Sequence, residues 1–256
     1  MSTSVNLLTS TQETWLWIGT IGMALGAVVI GAIGRGLGEH AHHAVASFFV
    51  CAIAAVAYLL MARGQGDILV TQTDVLLTPI GGIVKSTDTV VFVARYVDWV
   101  VTTPLLLIGL IGVAVKQGQG RGLVGTAIGA DILMIVTGLF GALSLNDTNK
   151  YTWFVISCLF FLIVLAIVWG PVRAMATATG GATAALYTKL LGILTVLWFI
   201  YPVLWLLGSE GTDAISLNAE VAVFAVIDLL AKVGFGLVLV MGAKNLPSEK
   251  EAVTAG

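Results

Sequence analysis

The sequence predicts an all-α membrane protein: a bundle of seven transmembrane helices, N-terminus outside and C-terminus cytoplasmic. Three observations carry this. The 256 residues are 58% hydrophobic and only 10% charged, with a mean hydropathy of +1.02, whereas a soluble domain is about 25% charged. The apolar residues fall into seven runs, at roughly 14–35, 42–62, 89–113, 122–143, 151–171, 187–207 and 218–242. Each is close to the ~20 residues a helix needs to cross a ~30 Å hydrocarbon core. Backbone polar groups in lipid must bond internally, so helices packed as a bundle are the natural architecture. Third, the basic residues are uneven. Arg35, Lys116, Arg121, Arg173, Lys189, Lys244 and Lys250 fall on one side and Arg63, Lys85 and Lys150 on the other, seven against three. The positive-inside tendency makes the richer side cytoplasmic.

In order, residues 1–256 read as one domain with a short polar N-terminus, 1–12, and a cytoplasmic tail, 245–256. Met1 to Thr11 has no basic stretch, so the first apolar run is expected to act as an uncleaved insertion signal. That run is glycine-rich, and Gly22 and Gly26 form a small-xxx-small pair that lets a neighbouring helix come close. Gly38-Glu39-His40-Ala41-His42-His43 follows and holds all three histidines. By itself it is a solvated helix start, with no carboxylate or cysteine cluster to suggest a metal site. Between the second and third runs, Asp67–Gln72 and Val75–Thr78 are expected to pair as an outer hairpin. Thr73-Asp74 would form its turn, and Pro79-Ile80-Gly81-Gly82 would end the strand. Cys51 and Cys158 lie inside apolar runs and read as small core residues, with no disulfide framework and no metal. A net charge of -2 excludes a nucleic-acid partner in any ordinary sense.

The third run carries Arg95, Asp98 and Thr102, which share a helix face at i, i+3 and i+7. Thr102, one turn from Asp98, is placed to donate to its carboxylate. Asp131 sits in the fourth run, and Glu210 and Glu220 bracket the last outer loop. The seventh run holds Asp228 and Lys232 four residues apart, on one face of a helix. A charge at mid-membrane costs about 2.5–3.5 kcal/mol even on the mildest scale, so such groups turn inward and pair. Two readings follow. One is a structural ion pair. The other is a lysine in a dry pocket, able to form a Schiff base with an aldehyde while the carboxylate balances the cation. Acidic groups at several depths exceed what one ion pair needs and suit a proton path. Tyr96, Trp99, Trp198, Tyr201 and Trp205, with Pro202 placed to bend its helix, suggest a slot for a flat apolar ligand.

Together these residues resemble the microbial (type 1) rhodopsins. The likeness rests on Arg95-Tyr96-x-Asp98-Trp99-x-x-Thr102-Thr103-Pro104, Trp198-x-x-Tyr201-Pro202-x-x-Trp205 and Asp228-x-x-x-Lys232-Val233-Gly234-Phe235-Gly236. Gly208-Ser209-Glu210-Gly211 and Leu217-Asn218-x-Glu220 point to the bacteriorhodopsin-like branch. The resemblance spans nearly all seven helices. It implies all-trans retinal bound covalently to Lys232 as a Schiff base, which light isomerises to 13-cis. Asp98 would be proton acceptor and counterion, and Asp228 a second counterion. Arg95 would couple the centre to the outer side, where Glu210 and Glu220 take part in proton release. Tyr58, Trp99, Met134, Gly138, Trp198, Tyr201 and Trp205 would line or support the pocket. Leu106 would be a colour-tuning position, and Thr103 would bond Asp131 between helices. The implied activity is a light-driven outward proton pump, a transporter and no enzyme. It would span the cell's inner membrane several times, with lipid and protons as partners and a homo-oligomer, trimer or pentamer, as its assembly.

One position departs from that branch. The carboxylate that serves as cytoplasmic proton donor is replaced by Gly109. Asp98, Thr102 and Gly109 form a signature like that of a bacterial Asp-Thr-Gly subgroup of pumps. The refilling proton then needs another route, and His43 or His42 is expected to supply it, with Ser47 one turn further in. A sensory rhodopsin signalling to a partner is the alternative, since sensors also often lack that carboxylate. Glu210 and Glu220 favour the pump. Asp98 argues against a chloride pump, and the absence of an Asn-Asp-Gln pattern argues against a sodium pump. A heptahelical transporter or enzyme using Lys232 as a nucleophile without retinal is a rival from another class, and it predicts no visible absorption.

Overall fold

The protein is described by a computed structural model covering residues 8–78, 81–115 and 119–247, with backbone alone for 73–78 and 81–85. The polar residues 1–7, Pro79-Ile80, Lys116 and the tail from Ser248, with Lys250, lie outside the described residues.

Among the described residues there are seven helices long and apolar enough to cross a membrane. They are α1 Ser10–Gly34, α2 Gly38–Ala62, α3 Val93–Ala114, α4 Arg121–Ala142, α5 Asp147–Thr179, α6 Gly181–Leu207 and α7 Leu217–Ala243. Strands β1 Ile68–Thr78 and β2 Gly81–Val91 form an antiparallel hairpin between α2 and α3.

Local chemistry sets the ends. Thr9 caps α1 in a reciprocal box with Gln12. Asn146 caps α5 by accepting the Asn149 N–H at 2.9 Å, and Ser216 caps α7. The chain turns from α5 to α6 through Gly180 and Gly181, whose φ of 72° and 53° most side chains avoid. Because of that turn α5 runs eight residues past its expected end, to Thr179, and α6 starts six residues early, at Gly181. Hydropathy placed the break too broadly because the polar residues around it, such as Arg173 and Thr177, are helical.

The hairpin forms, but in a different register from the expected one. Thr73 and Asp74 pair with Ser86 and Lys85 inside the ladder, and β2 continues to Val91. Gly81 and Gly82 pair with Thr78 and Leu77 and so extend the sheet. The long ladder outweighs the local turn preference of Thr73-Asp74. It also delays α3, which starts at Val93 instead of 89.

Two breaks interrupt the regular helical ladder. Helix α5 widens into a π turn at Val168–Val172, which contains Pro171, and α7 does so at Leu230–Gly234, around Lys232. Such turns are rare and gather at functional sites. Helices α1 and α7 pack tightly: a methyl at Gly22 would lie 2.6 Å from Leu229, and one at Gly26 would strike Val233. The interior is divided by depth. Toward the α2–α3 hairpin it holds most of the buried charges; toward the histidines it is a layer that includes Leu107, Leu110, Leu190, Leu191 and Leu239.

Candidate functional site

Lys232 lies at the centre, 1% exposed. Its Nζ donates to Asp228 Oδ1 at 2.8 Å and stands 3.1 Å from Asp98 Oδ2. The i,i+4 spacing on α7 produces the first contact, and α3 brings Asp98 from the other side. The two carboxylates are held differently. Asp228 also accepts from Tyr58 OH and Tyr201 OH, each at 2.7 Å. Asp98 keeps Oδ1 with no protein partner. Thr102 interacts with that carboxylate as expected, without satisfying Oδ1. Its hydroxyl bonds the Asp98 main-chain carbonyl at 2.9 Å, the back-bond open to any helical threonine.

Toward the hairpin end the polar contacts continue. Arg95, 2% exposed, places Nη1 3.7 Å from Glu220 Oε1 and lays its guanidinium 4.0 Å from the Phe224 ring centre. Glu220 also accepts the Ser209 N–H at 2.7 Å. Tyr96 OH donates to Glu210 Oε2 at 2.6 Å and accepts from Trp205 Nε1 at 2.9 Å. Glu210 lies in the loop between α6 and α7, yet is only 3% exposed. Burial, then the Glu220 charge, pushes its carboxyl up to about 7, against the pull of Arg95, the Tyr96 hydrogen bond and Lys150.

Beside Lys232 runs a cavity lined by Trp99, Thr103, Leu106, Met134, Gly138, Trp198, Tyr201 and Trp205, with Lys232 in its wall. All of these were expected there. Tyr58 supports the site through Asp228 rather than lining the cavity. Thr103 also donates to Asp131 Oδ2 at 2.7 Å, the expected α3–α4 bond. The sequence reading missed the α5 wall: Phe154, Ser157, Cys158 and Phe161. No charge within that apolar run marks its inward face. Ser157, alone and polar there, was the available signal, and its hydroxyl is satisfied by the Met134 carbonyl at 2.7 Å. Cys158, expected in the core, is half-buried and lines this cavity instead.

The histidines separate. His43 is 2% exposed with Nδ1 unpartnered, and its Cε1 edge faces α3 at Gly112. His42 is exposed and bonds the Glu39 carbonyl at 3.0 Å, so of the two candidates it is His43 that points inward. A helical step of about 100° between neighbours turns one in and the other out.

A family model described as bacteriorhodopsin-like protein matches residues 10–246. The chain belongs to the bacteriorhodopsin-like family. It is 39% identical to bacteriorhodopsin from Haloterrigena sp. (strain arg-4) over 238 residues, 92% of this chain and 89% of that protein. The crystal structure of thermophilic rhodopsin from Rubrobacter xylanophilus superposes with a TM-score of 0.81 at 35% identity, covering 92% of this chain and 97% of the other. That of the light-driven proton pump Coccomyxa subellipsoidea rhodopsin gives 0.80 at 35% identity, covering 93% and 99%.

A bacteriorhodopsin-like chain needs a place for retinal, and these residues fit one. The aromatic walls suit a flat polyene, and among the described residues the one amine in the cavity lining is Lys232 Nζ. Gly138 keeps the wall thin where a methyl would come within 3.4 Å of Ser157 Oγ.

Proposed function

We propose that this protein is a light-driven outward proton pump of the Asp-Thr-Gly subgroup, carrying retinal on Lys232 Nζ. Retinal bound there supplies light absorption and a change of shape that re-aims the N–H. The chain's residues do the rest. Two carboxylates hold the proton on Nζ in the dark; unit charges about 4 Å apart attract by roughly 4 kcal/mol at an effective dielectric near 20. Asp228 is already occupied by three donors, whereas Asp98 has a free oxygen. Asp98 is therefore the acceptor, and this asymmetry is the observation that carries the reading. Once neutral, Asp98 releases its hold on the nearby positive charges. Arg95 then acts more strongly on Glu220 and Glu210, which lose a proton at the hairpin end.

The excess of basic residues at the histidine end supports a cytoplasmic histidine end and an outer hairpin end. Gly109 offers no donor, so His43 takes up the refilling proton, with Ser47 one turn further in. The protein works in the inner membrane as a homo-oligomer, a trimer or a pentamer.

The test is to supply retinal to cells making the protein and illuminate them. The medium should acidify, a protonophore should abolish the effect, and Lys232→Ala should leave the protein colourless. A coloured protein that absorbs light without moving protons would instead be a sensor, and alkalinisation would reverse the direction.

A further inference from the structure

The seventh helix's lysine receives its returning proton from the histidine end, and α2 carries a buried polar residue at every turn along that side. His43, Ser47 and Cys51 are spaced four apart and are 2%, 3% and 0% exposed. Four residues rise about 6 Å, so the three span roughly 12 Å of depth on one face. The same face ends lower down in Tyr58, which bonds Asp228.

The packing of α2 against α7 fixes where Cys51 lies. Tyr58 meets Asp228 at one level. At another, a methyl on Gly236 would lie 3.2 Å from Ser47 Cβ. The helices are antiparallel, so Cys51, four residues from Ser47 toward Tyr58, comes level with Lys232. The charges of Lys232 and Asp98 both reach the thiol. Glycines face the file from both neighbours: Gly236 on α7 opposite Ser47, and Gly112 on α3, where a methyl would sit 3.4 Å from His43 Cε1. His43 Nδ1 has no protein partner. Gly109, one turn deeper on α3, brings no polar group of its own. Among the described residues of the seam between α2, α3 and α7 in this half, the polar side chains therefore sit on α2.

We propose that Cys51 is the innermost positioning residue of the proton-uptake route, its thiol holding the water that hands the proton to Lys232 Nζ. A thiol is a weak donor and a weak acceptor, so it can orient water while adding little polarity to a layer that must stay dry in the dark. During transfer the water gives one proton to Nζ and regains one from the Ser47 side; sulfur keeps its own proton, and nothing is oxidised. The inference rests on the pump reading but does not require His43 to be the entry point.

The test uses the full-length, retinal-bound protein in membranes. Light-minus-dark infrared spectra in the S–H stretching window read the thiols directly, and Cys51→Ala against Cys158→Ala assigns the bands. The Cys51 band should shift while Nζ is deprotonated. Flash spectroscopy should show Nζ reprotonation slowed at least about fivefold in Cys51→Ala, the factor of one ordinary hydrogen bond, and restored to within about twofold in Cys51→Ser. A Cys51 band unchanged by light, or a wild-type rate in Cys51→Ala, overturns the proposal. If Cys51→Ala fails to assemble, the band in the wild type and the Cys51→Ser rate decide. His43→Asn is the control: a wild-type rate there with a slow Cys51→Ala rejects the histidine and keeps the cysteine. The reverse pattern keeps the histidine and rejects the cysteine.

Discussion

At the hairpin end, the inside of the bundle is a relay of short polar contacts; at the histidine end it is mostly leucine. The first holds Lys232 against Asp98, then Arg95 against Glu220, and beside them the line from Trp205 through Tyr96 to Glu210. The second interposes Leu107, Leu110, Leu190, Leu191 and Leu239 between the lysine and the surface. A prebuilt polar chain moves charge by small shifts of existing bonds. An apolar layer passes a proton only after water enters it, and until then it blocks backflow. In the proposed pumping cycle this difference sets the direction: one side keeps polar groups in place throughout, the other admits the proton only when opened.

The sharpest way to break this comparison is at its first contact. Asp98→Asn keeps the shape and removes the acceptor, leaving Lys232 with Asp228 alone. Light-driven acidification should fall to background while the protein still binds retinal, with a shifted absorption band. Persistent pumping would mean that Asp228 accepts the proton despite its three donors.

A smaller effect tests the far end of the polar relay. Glu210 is raised from 4.5 to about 7, chiefly by burial and by Glu220. The folded chain thus holds this proton more tightly than the unfolded one. That stability is fully present at low pH and is lost as pH rises from about 4.5 to 7, by about 3 kcal/mol at most. The bleaching temperature of the wild type should drop over that window, and Glu210→Gln should remove this part of the slope. Identical pH profiles for the two proteins would show that Glu210 does not titrate there.

The polar half was legible in the sequence and the apolar half was not, for a physical reason. Charges in lipid must face inward, so Arg95, Asp98, Asp228 and Lys232 marked their own positions once the helices were counted. Leucine faces lipid and core alike, so nothing in α5 or α6 announced which residues close the path. His42 and His43 looked alike until the helix turned them apart. The hairpin register was equally hidden, because its strands alternate without a strong break before Pro79.

The apolar half does contain one polar clasp. Pro171 brings no N–H to the α5 ladder, and the helix widens there into its π turn. The Val168 carbonyl accepts Tyr187 OH from α6 at 2.5 Å, with the tyrosine fully buried. Nearby, Trp169 Nε1 donates to Thr195 Oγ1 at 2.9 Å and joins the same two helices. These bonds tie α5 to α6 beside the leucine layer. Tyr187→Phe keeps the ring and removes the bond, which is worth about 1 kcal/mol. If the layer must loosen to admit water, the closed state loses that stabilisation and Lys232 Nζ should regain its proton faster, by up to about fivefold. Flash spectroscopy at fixed pH measures this directly, and release at the hairpin end should keep its wild-type rate. A reprotonation rate that stayed the same or fell would mean that the layer opens without parting α5 from α6, and that the clasp only braces the fold.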